Sequence, residues 1–307
     1  METLLNGLVE QCGRCVDQGK VADYIPALGK ADKNDLGVYV LDCNGLYSQA
    51  GMSRRRFTVQ SVIKPVLLLQ ALMDNGEEYV RSRVGVEATG KPFAAINVGN
   101  ISHKEILSEH LNPMVNMGAI AMCSLIKGED YLHRFQRVLE LTRLLAGDED
   151  IVLDEEVYLS EKATADKNRA LAFLMKSYGL LEGDVEEVLD CYFRACSILV
   201  DCRDLARIAF VLSNKGRDFS GNQLFPARYA HYVNAVMMTC GMYDGAGDFA
   251  VKVGVPAKSG VGGGIMAVVP GRMGIGIYGP SLDSKGNSVA GIQMLRRLSD
   301  QLQLSIF

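Results

Sequence analysis

Two short motifs carry side chains suited to nucleophilic catalysis, and the earlier one lies where helical spacing begins. Ser61 and Lys64 form a Ser-x-x-Lys unit at the predicted start of the first long helix. Residues three apart share a helix face, so the Lys64 amine can approach the Ser61 hydroxyl. The unpaired N–H groups of a first helical turn favour negative charge there. Burial against Val62, Ile63 and Val66 is expected to lower the pKa of Lys64, so that its neutral amine takes the serine proton.

The later motif, Lys258-Ser259-Gly260, precedes a predicted strand near the C-terminus. An early Ser-x-x-Lys followed by a late Lys-Ser-Gly is typical of serine acyl-transfer enzymes of the β-lactamase and penicillin-binding type. Gly260 has no side chain, so a substrate can approach the strand edge closely. A backbone N–H at this edge, together with that of Ser61, would form an oxyanion hole. The two motifs together predict acyl transfer through Ser61.

The elements that must position these motifs are strands at both ends of the chain and helices in the middle. Residues 36–42 are rich in β-branched and aromatic residues, and Asn44-Gly45 predicts a hairpin turn into residues 46–49. Residues 264–270 and 273–278 predict a second pair of strands joined by a tight turn. Apolar residues at helical spacing predict helices within 62–73, 132–145, 163–175, 205–212 and 287–302.

This order of elements predicts an α+β fold. We expect one antiparallel sheet built from both chain ends, with a helical lobe inserted between them. The chain is expected to form a single catalytic domain over residues 1–307, with a mixed lobe of about 1–60 and 215–307 and a helical lobe of about 61–214. A ligand is expected in the groove between the lobes.

The composition excludes several classes of protein. With 307 residues, of which 48% are hydrophobic and 22% charged, the chain is not expected to be disordered, fibrous or embedded in a membrane. A net charge of −4 offers no electrostatic footprint for nucleic acid or an anionic membrane, so the expected partner is a small molecule or a second copy. The N-terminus has no secretory pattern and the eight cysteines are scattered, which predicts reduced thiols and a cytoplasmic location.

No pattern in the chain predicts a metal or a cofactor. His103, His110, His133 and His231 lack the paired spacing of metal ligands. Residues 262–267 fit Gly-x-Gly-x-x-Ala, but they enter a predicted strand, whereas a dinucleotide fingerprint opens a helix. We therefore expect an enzyme that works without metal or cofactor.

Seven segments, in order along nearly the whole chain from Leu8 to Leu302, resemble the serine-dependent glutaminases. This family hydrolyses L-glutamine to L-glutamate and ammonia and has the β-lactamase-like fold. The segments that carry the resemblance are Ala22–Leu28, Gln60–Pro65, Asn112–Ile120, Ser160-Glu161 with Asn168-Arg169-Ala170, Tyr192-Phe193 with Cys196-Ser197, Cys240–Asp244 and Pro256–Gly264.

The resemblance implies a role for each matching residue. Ser61 falls on the position of the nucleophile, Lys64 on that of its general base, and Val261 on that of the residue whose backbone N–H serves the oxyanion hole. The resemblance also implies that Ser61 and Val261 contact the substrate. The other substrate-contacting positions of the family fall on Tyr24, Asn116, Glu161, Asn168, Tyr192 and Tyr243.

The types of these residues fit free L-glutamine, which carries an α-ammonium and an α-carboxylate. Glu161 suits the ammonium, while amides and phenols supply neutral donors and acceptors. Tyr243 or Tyr192 is expected to pass a proton to the departing ammonia. Tyr24 is expected to be one of the catalytic residues, and the Lys258-Ser259-Gly260 motif is expected to support them. The family also implies a homodimer or homotetramer.

Two other functions fit parts of the pattern. A penicillin-binding protein or β-lactamase uses the same two motifs, but this chain has no export signal and no Ser-Asp-Asn between them. An amino-acid sensor would bind glutamine without turnover. The intact pair of Ser61 and Lys64 argues against a sensor, because pure binding needs no deprotonated lysine beside a serine.

Overall fold

A five-stranded antiparallel sheet joins the two ends of the chain in the computed structural model, which describes residues 1–88 and 111–307. The strands of these residues are β1 (Gly37–Asp42), β2 (Tyr47–Gly51), β3 (Phe57–Thr58), β4 (Leu199–Val200), β5 (Ala257–Ser259), β6 (Gly264–Val269) and β7 (Met273–Tyr278). The sheet has the order β2-β1-β7-β6-β5, and β3 pairs separately with β4. Because β1 pairs with β7, the predicted sheet from both chain ends is confirmed.

Helices cover the sheet and fill the middle of the chain. Those of the described residues are α1 (Glu2–Gly13), α2 (Lys64–Asn75), α3 (Glu77–Arg83), α4 (Asn116–Leu125), α5 (Tyr131–Ala146), α6 (Glu155–Thr164), α7 (Asp166–Ser177), α8 (Val185–Cys196), α9 (Cys202–Ser213), α10 (Ala227–Cys240), α11 (Ala246–Lys252) and α12 (Val289–Leu302). Short 3₁₀ helices cover Val16–Gln18, Pro26–Lys30, Gln60–Ile63 and Tyr243–Gly245.

The sheet packs against helices on both faces. Leu5 of α1 and Leu298 of α12 belong to the apolar cluster that covers one face, together with Val40 of β1. On the other face α9 rests directly on β7. A Cβ atom on Gly274 would lie 2.1 Å from the Ala206 carbonyl oxygen, so only glycine permits this contact between backbones.

The prediction of one helix within residues 163–175 is wrong in one respect. Helix α6 ends just before Ala165 and α7 begins just after it, so two helices cover this range. Ala165 leaves helical geometry at φ −88° and ψ 29°. Hydrophobic spacing did not reveal the break, since alanine is itself a strong helix former. The break places Glu161 and Asn168 on separate helices that line the same cavity.

The division into a mixed lobe and a helical lobe stays a prediction. Helix α9 packs on β7, and its Arg207 side chain also donates to the Ala146 carbonyl at the end of α5 (2.9 Å). Within residues 1–88 and 111–307, no helix combines the length and apolar character needed to cross a membrane.

Candidate active site

A cavity of about 550 Å³ lies between the middle helices and the turn that joins β5 to β6. Lys64 and Lys258 lie fully buried behind its lining. Residues from distant parts of the sequence meet in its wall. The predicted site residues among them are Tyr24, Ser61, Asn116, Glu161, Asn168, Tyr192 and Val261.

Ser61 lies in the 3₁₀ helix, and α2 begins only at Lys64, which corrects the prediction that Ser61 opens that helix. Pro65 has no N–H, so it cannot make the α-helical bond to the Ser61 carbonyl, and the Lys64 N–H donates there instead. Because three residues complete a 3₁₀ turn, positions 61 and 64 still face the same side. Gln60 enters the turn at φ 47°, a strained conformation typical of functional sites.

The turn between β5 and β6 holds Val261 close to Ser61 because two glycines flank it. A Cβ atom on Gly262 would lie 2.4 Å from the Thr58 carbonyl oxygen. A Cβ atom on Gly260 would lie 2.9 Å from the backbone carbonyl oxygen of the residue that follows Thr58. Because these glycines have no side chains, the turn packs against the backbone that leads into Ser61. Ser61 and Val261 both line the cavity.

Lys64 is buried in surroundings that favour its neutral form. Its Nζ donates to Asn116 Oδ1 (2.7 Å) and to the Met114 carbonyl (3.3 Å). Burial lowers the pKa of Lys64 to about 8, against smaller opposing effects of Cys196 and Glu161. A neutral amine has two N–H groups and one lone pair, so these two acceptors leave the lone pair available.

Asn116 is held in place by a tight loop before α4. A Cβ atom on Gly118 would lie 1.9 Å from the Asn112 carbonyl oxygen, so this glycine lets the loop fold back on the helix. Asn116 Nδ2 donates to Asn168 Oδ1 (3.0 Å), and Asn116 Oδ1 also accepts from the Tyr192 hydroxyl (3.3 Å). Asn116 thus joins Lys64 to the far wall of the cavity.

Glu161 presents a buried carboxyl group to the cavity. Burial raises the pKa of Glu161 to about 8, although a hydrogen bond with Gln60 and the charge of Lys64 oppose the rise. Glu161 Oε2 is buried and has no hydrogen-bond partner within residues 1–88 and 111–307. A buried acceptor of this kind suits a cationic group of a ligand.

Tyrosine hydroxyls supply neutral donors around Ser61. Burial raises the pKa of Tyr24, Tyr192 and Tyr243 above the usual range of a phenol, so each keeps its proton at neutral pH. Tyr243 forms a hydrogen bond with Ser61 and has the unusual φ of 55°. The Tyr24 hydroxyl is buried although the residue as a whole exposes 55% of its surface, so Tyr24 forms part of the cavity rim.

The 3₁₀ helix Pro26–Lys30 anchors Tyr24 at that rim. Leu28 packs with Val157 of α6 and with Val261 in a small apolar cluster. The N-terminal segment is therefore fixed to both the helices and the β5–β6 turn that line the cavity.

Lys258 and Ser259 lie at the end of β5, beside Tyr243. Lys258 Nζ donates to the Gly241 carbonyl (3.0 Å) and the Ser259 carbonyl (2.5 Å), and lies 4.3 Å from the centre of the Tyr243 ring. Burial lowers the pKa of Lys258 well below its usual value, and the charge of Lys64 adds to this effect. Ser259 Oγ is buried and has no hydrogen-bond partner in the described part of the chain.

Sequence reasoning missed some groups that shape the site. Gln60 was recognised only as part of a motif, although its position directly before Ser61 was a signal. Cys196 lines the cavity but received no role. The backbone carbonyls of Met114 and Gly241 accept from buried lysines, and no sequence pattern marks a carbonyl for that task.

No cluster of three His, Cys, Asp or Glu residues suited to a metal ion occurs within residues 1–88 and 111–307. His133 and His231 are exposed, whereas His103 and His110 lie outside the described residues. The eight cysteines are all described and all free, as predicted. The site thus offers a serine hydroxyl, a buried amine of lowered pKa and nearby backbone N–H groups, which are the components of serine acyl transfer.

Comparison with known sequences identifies a family that matches this arrangement. The family model described as Glutaminase matches residues 19–307. The glutaminase of Clostridium tetani is 50% identical over 308 aligned residues, which cover 100% of this chain and 100% of that protein.

Solved structures extend the likeness to the fold. A probable glutaminase from Bacillus subtilis, complexed with 6-diazo-5-oxo-L-norleucine, has 38% identity and a TM-score of 0.91, covering 100% of this chain and 96% of that chain. A Bacillus subtilis glutaminase in covalent complex with 5-oxo-L-norleucine has 37% identity and a TM-score of 0.91, covering 100% and 99%. The predicted β-lactamase-like fold is thereby confirmed. By its sequence, its fold and the residues gathered in its cavity, this chain belongs to the glutaminase family of amidohydrolases.

Proposed function

We propose that this enzyme hydrolyses L-glutamine to L-glutamate and ammonia, with Ser61 as nucleophile and Lys64 as its general base. The observation that carries this proposal is the environment of Lys64. Both N–H groups of its neutral amine have acceptors, so the remaining lone pair is left for the Ser61 proton. A pKa of about 8 makes this neutral form accessible near neutral pH.

The proposed reaction has two halves that share one oxyanion site. Ser61 Oγ attacks the side-chain amide carbon while Lys64 Nζ takes its proton, and the N–H groups of Ser61 and Val261 stabilise the oxyanion. The proton that Lys64 took passes through Tyr243, which is hydrogen-bonded to Ser61, to the nitrogen that leaves as ammonia. Water then attacks the γ-glutamyl ester and gives one proton to Lys64, which passes it to Ser61 Oγ as glutamate leaves.

The polar lining fits the zwitterionic end of glutamine. Glu161 Oε2, which lacks a partner among the described residues, would accept from the α-ammonium. Asn168 and Tyr192 line the same cavity as Asn116, and their amide and phenol groups would bind the α-carboxylate. Tyr24 would contact the substrate from the rim.

The reagent in the related structures supports a covalent route. 6-Diazo-5-oxo-L-norleucine is an α-amino acid with a ketone at carbon 5, where glutamine has its amide carbonyl. The related Bacillus subtilis glutaminase forms a covalent complex on reaction with it. The same cavity chemistry in this chain is therefore expected to form an acyl-enzyme with glutamine.

Release of glutamate and ammonia by the wild type and by Ser61→Ala tests the proposal. Loss of the nucleophile should lower kcat by about 10⁴-fold or more while glutamine still binds in calorimetry. Ser177→Ala, an exposed serine on α7, is the matched control and should keep full activity. Equal turnover by Ser61→Ala, or binding of glutamine without turnover by the wild type, would contradict the proposal.

Two further properties stay predictions. A cytoplasmic location is predicted because the eight scattered cysteines, which are all free in the structure, need no oxidising compartment. The homodimer or homotetramer follows from the family resemblance, and sedimentation of the purified chain would distinguish the two.

A further inference from the structure

A second cavity, of about 440 Å³, lies at the opposite edge of the sheet from the Ser61 cavity. It opens beside β1 and β2, whereas the Ser61 cavity adjoins the end of β5 at the other edge. Among the residues that the structure describes, the two cavities share no lining residue. The second one is lined by Tyr39, Leu41, Gly45, Tyr47, Gln49, Arg54, Arg203, Arg207 and Phe219.

Three guanidinium groups converge on this cavity. Arg203 and Arg207 stand four residues apart on α9 and therefore on the same helix face, and Arg54 reaches the cavity from the segment before β3. Burial raises the pKa of Tyr39, and the charges of Arg203, Arg207 and Arg54 all oppose that rise. All three cations therefore lie within electrostatic reach of one hydroxyl in the cavity wall.

The protein leaves most of this positive charge uncompensated. Arg54 pairs with the buried Asp201 (3.1 Å). Arg203 and Arg207 form no ion pair with any carboxylate of residues 1–88 and 111–307. Arg207 Nη1 does donate to the carbonyls that end α5 (2.9 Å each), which fixes the side chain without neutralising it.

The acidic groups nearest to this pair already have another partner. Burial and the charge of Arg203 lower the pKa of Arg207, and Asp148 and Asp204 only partly oppose this, since Arg56 holds both of them, at 3.0 Å and 2.9 Å. Like charges four residues apart on a helix repel each other, so the two free cations of α9 cost stability unless an anion joins them. The cavity therefore has the uncompensated positive charge that is typical of an anion-binding site.

Aromatic rings form the remaining walls. Tyr39 and Tyr47 are stacked, with ring centres 5.3 Å apart, and Tyr47 exposes 61% of its surface. Phe219 stacks on Phe210 (4.2 Å) and lies under the Arg207 guanidinium. Exposed, rigidly supported rings beside cations suit a planar group attached to the anion.

We propose that this cavity binds a phosphoryl-bearing small molecule at its arginines, with a planar ring on the molecule packing against Tyr47 and Phe219. Guanidinium groups bind phosphoryl oxygens in bidentate fashion, and the three arginines match a group that carries more than one negative charge. The volume suits a ligand of the size of a nucleoside diphosphate. This site does not depend on the function proposed for Ser61.

Calorimetric titration of the full chain with ADP and with inorganic pyrophosphate tests the proposal. Both should bind, ADP more tightly, and both more weakly as salt rises. Arg203→Gln should weaken the binding of both ligands by about 10-fold or more. The loss can be assigned to the ligand contact, because Arg203 makes no hydrogen bond within the described chain. Arg296→Gln, an exposed arginine on α12 with the same change of charge, should stay within about 2-fold.

A second variant separates the ring from the phosphoryl group. Tyr47→Ala removes an exposed ring without touching the core, so it should weaken ADP but not pyrophosphate. Three results would overturn the proposal. The first is the absence of saturable binding, and the second is equal affinity of Arg203→Gln and Arg296→Gln for both ligands. The third is loss of binding after covalent labelling of the Ser61 cavity.

Discussion

The buried pair of Lys64 and Glu161 governs how the enzyme should respond to pH. Each has a pKa of about 8, one lowered and one raised, so both carry a proton at neutral pH. As pH rises through 8, Lys64 becomes neutral, as the proposed general base must be, and Glu161 becomes a carboxylate, as the proposed partner of the α-ammonium must be. We therefore expect kcat/KM to increase on the alkaline side, with an apparent pKa near 8.

Glu161→Gln separates the two groups. The negative charge of Glu161 raises the pKa of Lys64, so its removal should move the rising limb of kcat/KM to lower pH. Loss of the partner for the α-ammonium should also lower kcat/KM by about 10- to 100-fold, chiefly through KM. Steady-state kinetics between pH 6 and 9 would measure both effects.

Glu156→Gln is the matched control for that variant, because Glu156 is exposed on the same helix and, among the described residues, pairs only with Lys30. It should keep the wild-type profile. An unshifted limb in Glu161→Gln would show that Glu161 does not influence the general base.

Lys258 should act by positioning Tyr243. Lys258→Met keeps the length of the side chain but removes its hydrogen bonds to the Gly241 and Ser259 carbonyls. We expect kcat to fall by about 10-fold or more with KM within about 3-fold, since the ring of Tyr243 rests on Lys258 Nζ. Lys252→Met, at an exposed position on α11, should change neither constant. A parallel rise in KM would instead indicate a role in substrate binding.

At the scale of elements, the β5–β6 turn sets the distance between Val261 and Ser61. Gly262→Ala would force a Cβ to within 2.4 Å of the Thr58 carbonyl oxygen, and neither backbone segment can yield without moving one of the proposed oxyanion donors. We expect kcat to fall by about 10- to 100-fold, as for a misplaced donor, with glutamine binding largely kept.

Gly247→Ala on α11 is the control for this variant, because its Cβ would meet no atom within 4 Å. Its kcat should equal that of the wild type. A fully active Gly262→Ala would mean that the turn does not position the oxyanion site.

Element boundaries could be predicted from the sequence where spacing alone decides them. The β-branched and aromatic residues of 36–42 and the Asn44-Gly45 turn located the hairpin, and helical spacing located α2, α5, α9 and α12. The 3₁₀ turn at Ser61 was not predicted, although its cause, Pro65, stands in the sequence. Pro65 lacks the N–H of one helical hydrogen bond, and the spacing of apolar residues carries no information about that bond. The break at Ala165 was missed because tertiary packing overrode a helical propensity.

At the scale of the whole molecule, the contact of α9 with β7 ties the sheet to the middle helices. Gly274→Ala would place a Cβ 2.1 Å from the Ala206 carbonyl oxygen, so we expect the free energy of unfolding to fall by about 1–3 kcal/mol. Gly7→Ala, in open space within α1, should instead raise it by about 0.5–1 kcal/mol. Denaturant unfolding of the two variants should thus give opposite signs, and equal shifts would contradict this packing.

The overall fold followed from the order of the predicted elements, and the residues of the site followed from the family resemblance, but neither gave the distances between those residues. Strands at both ends indicated the shared sheet, and the seven segments named the residues of the cavity. The burial that lowers the pKa of Lys64, and the acceptors of its hydrogen bonds, arise only when α4 and the segment before it pack against Lys64. The arginine cavity was not predicted, because Arg54 and Arg203 are far apart in sequence and meet through the sheet edge.

Covalent labelling by 6-diazo-5-oxo-L-norleucine, followed by peptide mass spectrometry, tests the role of Ser61 most directly. Attack by Ser61 Oγ on the diazo carbon, which gains a proton and loses N₂, should leave one 5-oxo-norleucyl group on the peptide that contains Ser61. The label should form faster as pH rises through 8 and be absent from Ser61→Ala. Label on Cys196, the thiol in the same cavity, or no label on a chain that still hydrolyses glutamine, would contradict the mechanism.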